Sequence, residues 1–574
     1  MKKLLVFLKN YKKESILAPL FKMLEAAFEL IVPLVVAAII DEGILNNDLG
    51  VILSRCGVLV LLAVVGMVAS ITAQYFAAKA ATGFGMELRH ALFEKIQSLS
   101  FNELDRIGTS SLVTRVNTDS NQVQNGVNLV LRLFLRSPFI VFGAMIMAFT
   151  VDVKSALVFA GAIPLLSLVV FGIMAYTIPK YRTIQNNLDL ITLKTRENLS
   201  GARVIRAFTQ EENEIEDFVA KNRFLSHLQK AVGRISALMN PVTYVIINFA
   251  VVLLVYSGAL QVDSGKLTQG EVVALYNYMS QILIELIKLA NLIVTVTKAL
   301  ACASRIEGVL ELENTLEHNS NLDKQTDNAV DFKNVSLKYK GASENSLENI
   351  TFSAEKGSVI GVIGSTGSGK TSLVSLIPHF YDATEGEVLV NGVDVKAYSD
   401  DALRKKTGFA LQKAALFKGT VRDNLKWGDE NATDEEMLEA LKKAQIFDSV
   451  MEKGGLDAEI EQNGSNLSGG QKQRLSVARA LVRKPEILVL DDSTSALDFA
   501  TEAAMRKEIL SLDYDPTVFI VSQRASSVMC ADKIIVLDDG TAVGIGTHKE
   551  LLETCGVYKE IYDSQFGEED TYEE

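Results

Sequence analysis

The chain has 574 residues, 22% of them charged, and a formal net charge of −13. That length exceeds one ordinary domain, and a positive mean hydropathy beside so many charges fits a membrane region joined to a soluble domain. The acidic balance argues against nucleic acid as the main partner. Cys56, Cys302, Cys530 and Cys555 are scattered without CxxC or metal-ligand spacing, so neither a disulfide framework nor a zinc site is expected.

The N-terminal MKKLLVFLKNYKKE has apolar stretches too short for a signal-peptide core. Leu4, Leu5, Phe7 and Leu8 at helical spacing predict an amphipathic helix on the inner membrane surface. Six apolar segments follow, at roughly 16–40, 56–81, 130–150, 156–176, 241–261 and 272–298, each near or above the ~20 residues that cross the hydrocarbon as a helix. The links after the first, third and fifth segments are short and contain Arg55, Lys154 and Lys266, whereas residues 179–240 carry ten Lys and Arg. The positive-inside rule then places the long links and both termini in the cytoplasm, as in a multi-pass protein of the cytoplasmic (inner) membrane. The long links read as helical, with Leu188, Ile191, Leu199 and Val204 at apolar spacing, and two antiparallel helices over 179–240 would project about 40 Å.

Charges inside the spans are expensive and often functional. Glu25 and Glu29 share a helix face, Arg132 and Arg136 repeat that spacing, and Glu285 and Lys288 are placed to neutralise each other. Two readings stand side by side: a water-filled cavity for amphipathic or cationic molecules, or interhelical pairing and snorkelling.

From about Val330 short β-rich runs alternate with turns and amphipathic helices. The expected organisation is a membrane domain over 1–310, a linker over 311–329, an α/β domain over 330–567 and a solvated acidic tail over 568–574. Within the α/β domain, GVIGSTGSGKTS matches the phosphate-binding pattern from Gly364 through Ser365, Thr366, Gly367, Ser368 and Gly369 to Lys370 and Thr371. Its glycines let backbone N–H groups turn toward phosphate; Lys370 would reach the β- and γ-phosphates of ATP, and Thr371 would bind Mg²⁺. ILVLDDSTSALD ends an apolar run in Asp491, the expected Mg²⁺ acid, and Asp492 follows where a general base would sit. In NLSGGQKQRLSVARAL, Leu467, Ser468, Gly469, Gly470 and Gln471 open a helix whose N-terminus is suited to a phosphate.

With these motifs the chain resembles the ATP-binding cassette family, over nearly its whole length, as a half-transporter of the exporter type. The resemblance implies six transmembrane helices with long cytoplasmic extensions followed by an α/β cassette. It also implies a second half-transporter subunit, because the signature of one cassette closes over the nucleotide of the other. By the same resemblance Tyr339 stacks on adenine, Gln412 contacts Mg²⁺ and water, and Asp498 lies in the loop that crosses to the opposite site. The stretch SLSFNELDRIGTSS resembles the first cytoplasmic loop, with a short coupling helix near 101–106. LSGARVIRAFTQEENE resembles the second, which engages the partner's cassette.

Three positions depart from the family pattern. Asp492 stands where Glu is usual, one methylene shorter, withdrawing the carboxylate by about 1 Å; misplacement on that scale costs roughly 10²-fold, comparable with what a general base supplies. Gln523 stands where the switch His is usual; its amide donates a hydrogen bond but cannot take up a proton. Glu461, Gln462 and Asn463 only loosely match the run that precedes the signature in exporters.

Together Asp492 and Gln523 imply a site that holds ATP and hydrolyses it slowly. The intact LSGGQ would serve a partner supplying Glu and His, in a heterodimer exporting amphipathic compounds or drugs from the cytoplasm or inner leaflet. The alternatives are a homodimeric lipid, peptide or drug exporter with two slow sites, and an ATP-gated regulatory membrane protein. A peptidase-bearing peptide exporter is not expected, since no such stretch precedes the first segment.

Overall fold

The computed structural model describes residues 3–312 and 327–567, so most of the expected linker and the acidic tail at 568–574 lie outside the described residues. The chain forms two compact units, one of Met1–Ser98 with Gly108–Leu312, the other of Leu99–Ile107 with the cassette residues.

In the first unit, among the described residues, six helices are long and apolar enough to cross a membrane: Leu4–Ile44, Leu49–Gln97, Thr109–Val151, Val153–Ser200, Glu211–Asp263 and Gln269–Leu310. Their starts at the short links are fixed by side-chain caps. Asp48 accepts from the N–H of Gly50 and Val51, Asp152 from Ser155, and Thr268 forms a reciprocal cap with Glu271. At the other ends the helices outrun the apolar segments; the second continues past residue 81 to Gln97, about 24 Å of further helix.

Ala144, Ala148, Phe159, Leu254, Tyr278 and Ile282 pack in the core of this unit. The third and sixth helices approach closely because Gly126 has no side chain; a Cβ there would lie 2.4 Å from that of Ala299.

Two local features are not specified by the apolar pattern. The third span is not one continuous helix: regular helix covers Ser120–Leu133 and Arg136–Val151, with a turn at Phe134 and Leu135. Pro138 has no N–H to donate to the Phe134 carbonyl, which breaks the ladder. The apolar positions of the long link divide between packed and exposed. Ile184 and Ile191 pack against Leu225, Leu228 and Val232, while Leu199 and Val204 are 76% and 60% exposed.

The charged residues of the spans do pair. Arg136 reaches Glu29 on the first helix at 2.7 Å and Glu285 on the sixth at 2.6 Å, and Lys288 joins Glu285 at 2.7 Å. Removing one partner of a buried pair leaves its counter-charge uncompensated, so Arg136→Ala is expected to destabilise the membrane unit by about 3 kcal/mol. Arg132→Ala, which breaks no ion pair among the described residues, is expected to stay within about 0.5 kcal/mol of the parent. Equilibrium unfolding in detergent distinguishes the two.

In the second unit the strands are β1 (Asn328–Leu337), β2 (Leu347–Glu355), β3 (Val359–Gly364), β4 (Glu385–Val390), β5 (Val393–Asp394) and β6 (Thr407–Ala410). They continue as β7 (Gly419–Thr420), β8 (Glu459–Ile460), β9 (Ile487–Asp491), β10 (Thr517–Ser522), β11 (Lys533–Asp538) and β12 (Thr541–Gly546). An antiparallel sheet runs β2-β1-β4-β5, and a larger sheet runs β12-β11-β3-β10-β9-β6, parallel except for the β11–β12 hairpin. β9 and β10 are buried throughout, which explains their unbroken apolar runs. Ligands of such sheets bind beyond the C-terminal strand ends, here those of β3, β9 and β10.

The helix Phe101–Ile107 belongs to this unit, close to the expected coupling helix. The Phe101 ring lies 4.6 Å from that of Phe380, and the Tyr381 hydroxyl donates to Asp105 at 2.8 Å. The helix after the phosphate loop is shorter than its apolar run implies. It covers Lys370–Ser375, and Pro378 then removes a donor from what would be its next turn.

Candidate nucleotide site

β3 delivers the chain at Gly364 into a loop that turns through Gly367 and Gly369 at φ +89° and +95°. A Cβ on Gly369 would lie 2.6 Å from the Ser346 carbonyl oxygen, so both conformation and space require glycine there. The Lys370 ammonium folds into the loop and donates to the carbonyls of Gly364 at 2.9 Å and Ser365 at 2.6 Å. Burial lowers its pKa, opposed by the carboxylates of Asp492 and Asp491. Ser368 is buried beside it, while Ser365 and Thr366 are exposed.

Parallel pairing of β3, β10 and β9 brings three sequence-distant loops to the same end of the sheet. Thr371 donates through Oγ1 to Asp491 Oδ1 at 2.9 Å. A buried carboxylate and a hydroxyl are hard oxygen donors, a set that suits Mg²⁺. Asp492 follows with φ +45°, a left-handed conformation that Asp tolerates better than most residues, and its N–H donates to the Val521 carbonyl at 3.0 Å. Gln412 donates through Nε2 to Asp492 Oδ2 at 3.3 Å. From the end of β10, Gln523 accepts through Oε1 from Thr366 at 3.3 Å. Tyr339 is half-buried, joined through its hydroxyl to Ser372 at 3.0 Å and packed edge-on against Tyr381. The phosphate loop, Asp491, Asp492, Gln412, Gln523 and Tyr339 therefore belong to one connected neighbourhood.

Burial raises the pKa of both Asp491 and Asp492 above the usual carboxylate value of 3.8. A raised carboxyl takes up its proton earlier on acidification and then no longer attracts a cation. Mg²⁺–nucleotide affinity of this chain is thus expected to begin falling above the ordinary Asp range as pH is lowered, and Asp491→Asn to flatten the profile. Equilibrium binding of a fluorescent nucleotide across pH checks this.

The signature residues stand apart from this neighbourhood: among the described residues no hydrogen bond joins Leu467–Gln471 to Gly364–Thr371. Ser468 caps the helix Gly469–Val482, accepting from the Gln471 N–H while the Gln471 side chain accepts from the Ser468 N–H. Ser468 and Gly469 are exposed, Gly470 and Gln471 partly so, and Leu467 packs against the core. Asp498 caps the helix Phe499–Ile509, accepting from the N–H and hydroxyl of Thr501, bonds that lower its pKa. Glu461–Asn463 form an exposed turn in which Asn463 has φ +57°.

Sequence reasoning missed two connections. Gln473, two residues beyond the signature and buried, accepts from the Ala496 N–H at 2.9 Å and donates to Ser495 at 3.1 Å, tying the signature helix to the loop before Asp498. Its only signal was an amide on the inward side of an otherwise apolar helix face. Arg524, beside Gln523, pairs with Glu502 at 3.1 Å and lines with Asp492, Ser495, Phe499 and Gln523 a cleft of about 500 Å³.

Residues 15–286 match the family described as ABC transporter transmembrane region, and residues 347–495 that described as ABC transporter. The chain is 36% identical to the uncharacterized ABC transporter ATP-binding protein YfiB of Bacillus subtilis, over 99% of both chains. It is 30% identical to the putative multidrug export ATP-binding/permease protein YgaD of the same organism, over 98% of this chain and 99% of that one. In fold it is similar to a bacterial Atm1-family ABC exporter solved with ATP bound, at a TM-score of 0.82 and 22% identity, covering 97% of this chain and 99% of that one.

Proposed function

Because this chain belongs to the ABC transporter family, as a half-transporter of the exporter type, we propose that it is the unequal subunit of a heterodimeric, ATP-driven exporter of amphipathic compounds. The observation that carries this reading is a pairing within one pocket. Asp492 and Gln523 replace the usual Glu and His, while the signature Leu467–Gln471 is complete. The phosphate loop, Lys370 and Tyr339 grip and orient ATP. Thr371 and Asp491, with Gln412 nearby, would hold Mg²⁺, whose role when bound is to neutralise phosphate charge.

Asp492 keeps a carboxylate beside that ion position, but its short side chain is engaged by Gln412 and reaches less far toward an attacking water. Gln523 offers an amide without a titrating proton. Loss of base positioning on this scale corresponds to roughly 10²-fold slower chemistry. In this reading ATP beside Asp492 holds the two cassettes partly joined, and turnover occurs where Ser468, Gly469, Gly470 and Asp498 complete the partner's pocket. The likeness to a putative multidrug export protein supports amphipathic cargo.

Purified in lipid without another subunit, the chain is expected to bind ATP and turn it over about 10²-fold more slowly than when paired with a half-transporter that carries Glu and His. Brisk turnover by the chain on its own would instead assign it to a homodimer.

A further inference from the structure

Counted from the helix ends at the short links, Glu29, Arg136 and Glu285 lie 15, 15 and 16 residues in, which places all three about 22–24 Å along their helices. Arg132 and Lys288 each lie 19 residues in, about 28 Å, roughly one helical turn deeper. Three helices thus carry charge to one depth within the ~30 Å hydrocarbon.

The innermost pair is closed off, with Arg136 and Glu285 side chains 7% and 3% exposed. The outer members are open: Glu29 is 40% exposed and Lys288 41%. Each is anchored to the buried pair by one bond and presents its remaining capacity away from it. Ser137 and Arg136 already occupy Glu285, which leaves Glu29 as the exposed acid of the network.

Several polar atoms here lack partners. The Nε groups of Arg132 and Arg136 and the Oε1 of Gln281 are buried without a hydrogen bond among the described residues. Gln281 belongs to the same cluster, since its amide donates to the Glu29 carbonyl at 3.4 Å. Arg132 forms no ion pair among the described residues, unlike Arg136 one turn away. Orphaned donors and acceptors are costly where water is scarce, and a site built to hold a polar ligand is where such atoms persist. The break at Phe134 and Leu135 falls between the two arginines, in the same stretch of helix.

We propose that this cluster binds the head of an amphiphile that carries both an ammonium and an anionic group. Glu29, with the Gln281 carbonyl oxygen, takes the ammonium; Arg132 and Lys288, one turn deeper, take the anion. The inference rests on the exporter reading and narrows its cargo to zwitterionic amphiphiles. The geometry favours a zwitterion over a simple cation because the exposed charges are of both signs, and over a simple anion because Glu29 would repel it. A spacing of about one turn, ~5 Å along the helices, matches opposite charges separated by a few bonds.

The test uses the full chain in a nonionic maltoside and three single-tailed probes of one chain length: lysophosphatidylethanolamine, an alkyl phosphate and an alkyltrimethylammonium. The zwitterion is expected to bind about tenfold more tightly than either singly charged probe, on the order of one contact's worth of discrimination. Glu29→Gln should erase its advantage over the phosphate, and Arg132→Gln its advantage over the ammonium. Competition by a short-chain soluble zwitterion assigns the ligand to the aqueous pool, and binding confined to the lysolipid assigns it to the bilayer. Equal binding of the three probes overturns the proposal, as does a uniform loss in both variants, which would mark a purely structural role. ATP turnover of the assembled pair is read in parallel. Turnover without charge discrimination removes this inference and leaves the exporter intact, whereas discrimination without ATP-coupled movement removes the exporter reading instead.

Discussion

In the pair proposed above, Gly470→Asp in this chain is expected to slow steady-state ATP turnover by at least ~10²-fold, and Asp492→Asn to change it by less than about twofold. The first number follows from the exposed N-terminus of the helix Gly469–Val482, whose backbone donors and partial positive charge are what a phosphate would meet. Loss of one such donor at a reacting phosphate or oxyanion costs ~10²–10³-fold. A Cβ at Gly470 lies 3.0 Å from Leu497 Cδ2 and 3.1 Å from the Ala496 carbonyl oxygen, so any side chain disturbs the loop before Asp498, and a carboxylate also repels phosphate. The second number follows from the reading proposed above, in which Asp492 is a poorly placed base. Initial rates of phosphate release from the two variant pairs decide the matter. A large loss from Asp492→Asn with a mild effect of Gly470→Asp would reverse the assignment of roles and end the unequal-halves account.

Lys370→Ala is expected to lower the affinity of this chain for ATP by about 10²-fold or more, without a comparable loss of fold stability. The ammonium sits among the carbonyls of Gly364 and Ser365, at the mouth of a loop whose other donors are backbone N–H groups. Hydrogen bonds to charged groups contribute ~1.5–3 kcal/mol, so two such bonds to phosphate oxygens correspond to ~10²–10⁴-fold, and the lower end is expected. Equilibrium binding of a fluorescent nucleotide, with a thermal melt of the same sample, separates lost binding from lost folding. An affinity within about threefold of the parent would mean that the pocket is not held by this lysine.

Much of the architecture was legible because it is local. A helix that crosses lipid must satisfy its backbone internally and show ~20 apolar residues in a row, so the six spans are written in composition. The phosphate loop is equally local, since glycines at fixed offsets between a buried strand and a helix leave few other conformations. The same locality explains the misses. The break at Phe134 and Leu135 hides inside an apolar run and depends on one proline, and the seam of the long link stops short of Leu199 although the apolar spacing continues.

Residue order alone was enough to specify the spans, the sign of the links, the phosphate loop and the two replaced positions, because spacing along a chain dictates period, capping and turn chemistry. It did not specify who meets whom. Arg136 finds Glu29 across 107 residues and Glu285 across 149. Gln412 finds Asp492 across 80, and Gln473 finds the loop of Ser495 and Ala496. Those meetings arise when strands pair in a particular order and helices pack at a particular depth, so that a few ångströms of three-dimensional placement, invisible to periodicity, choose each partner.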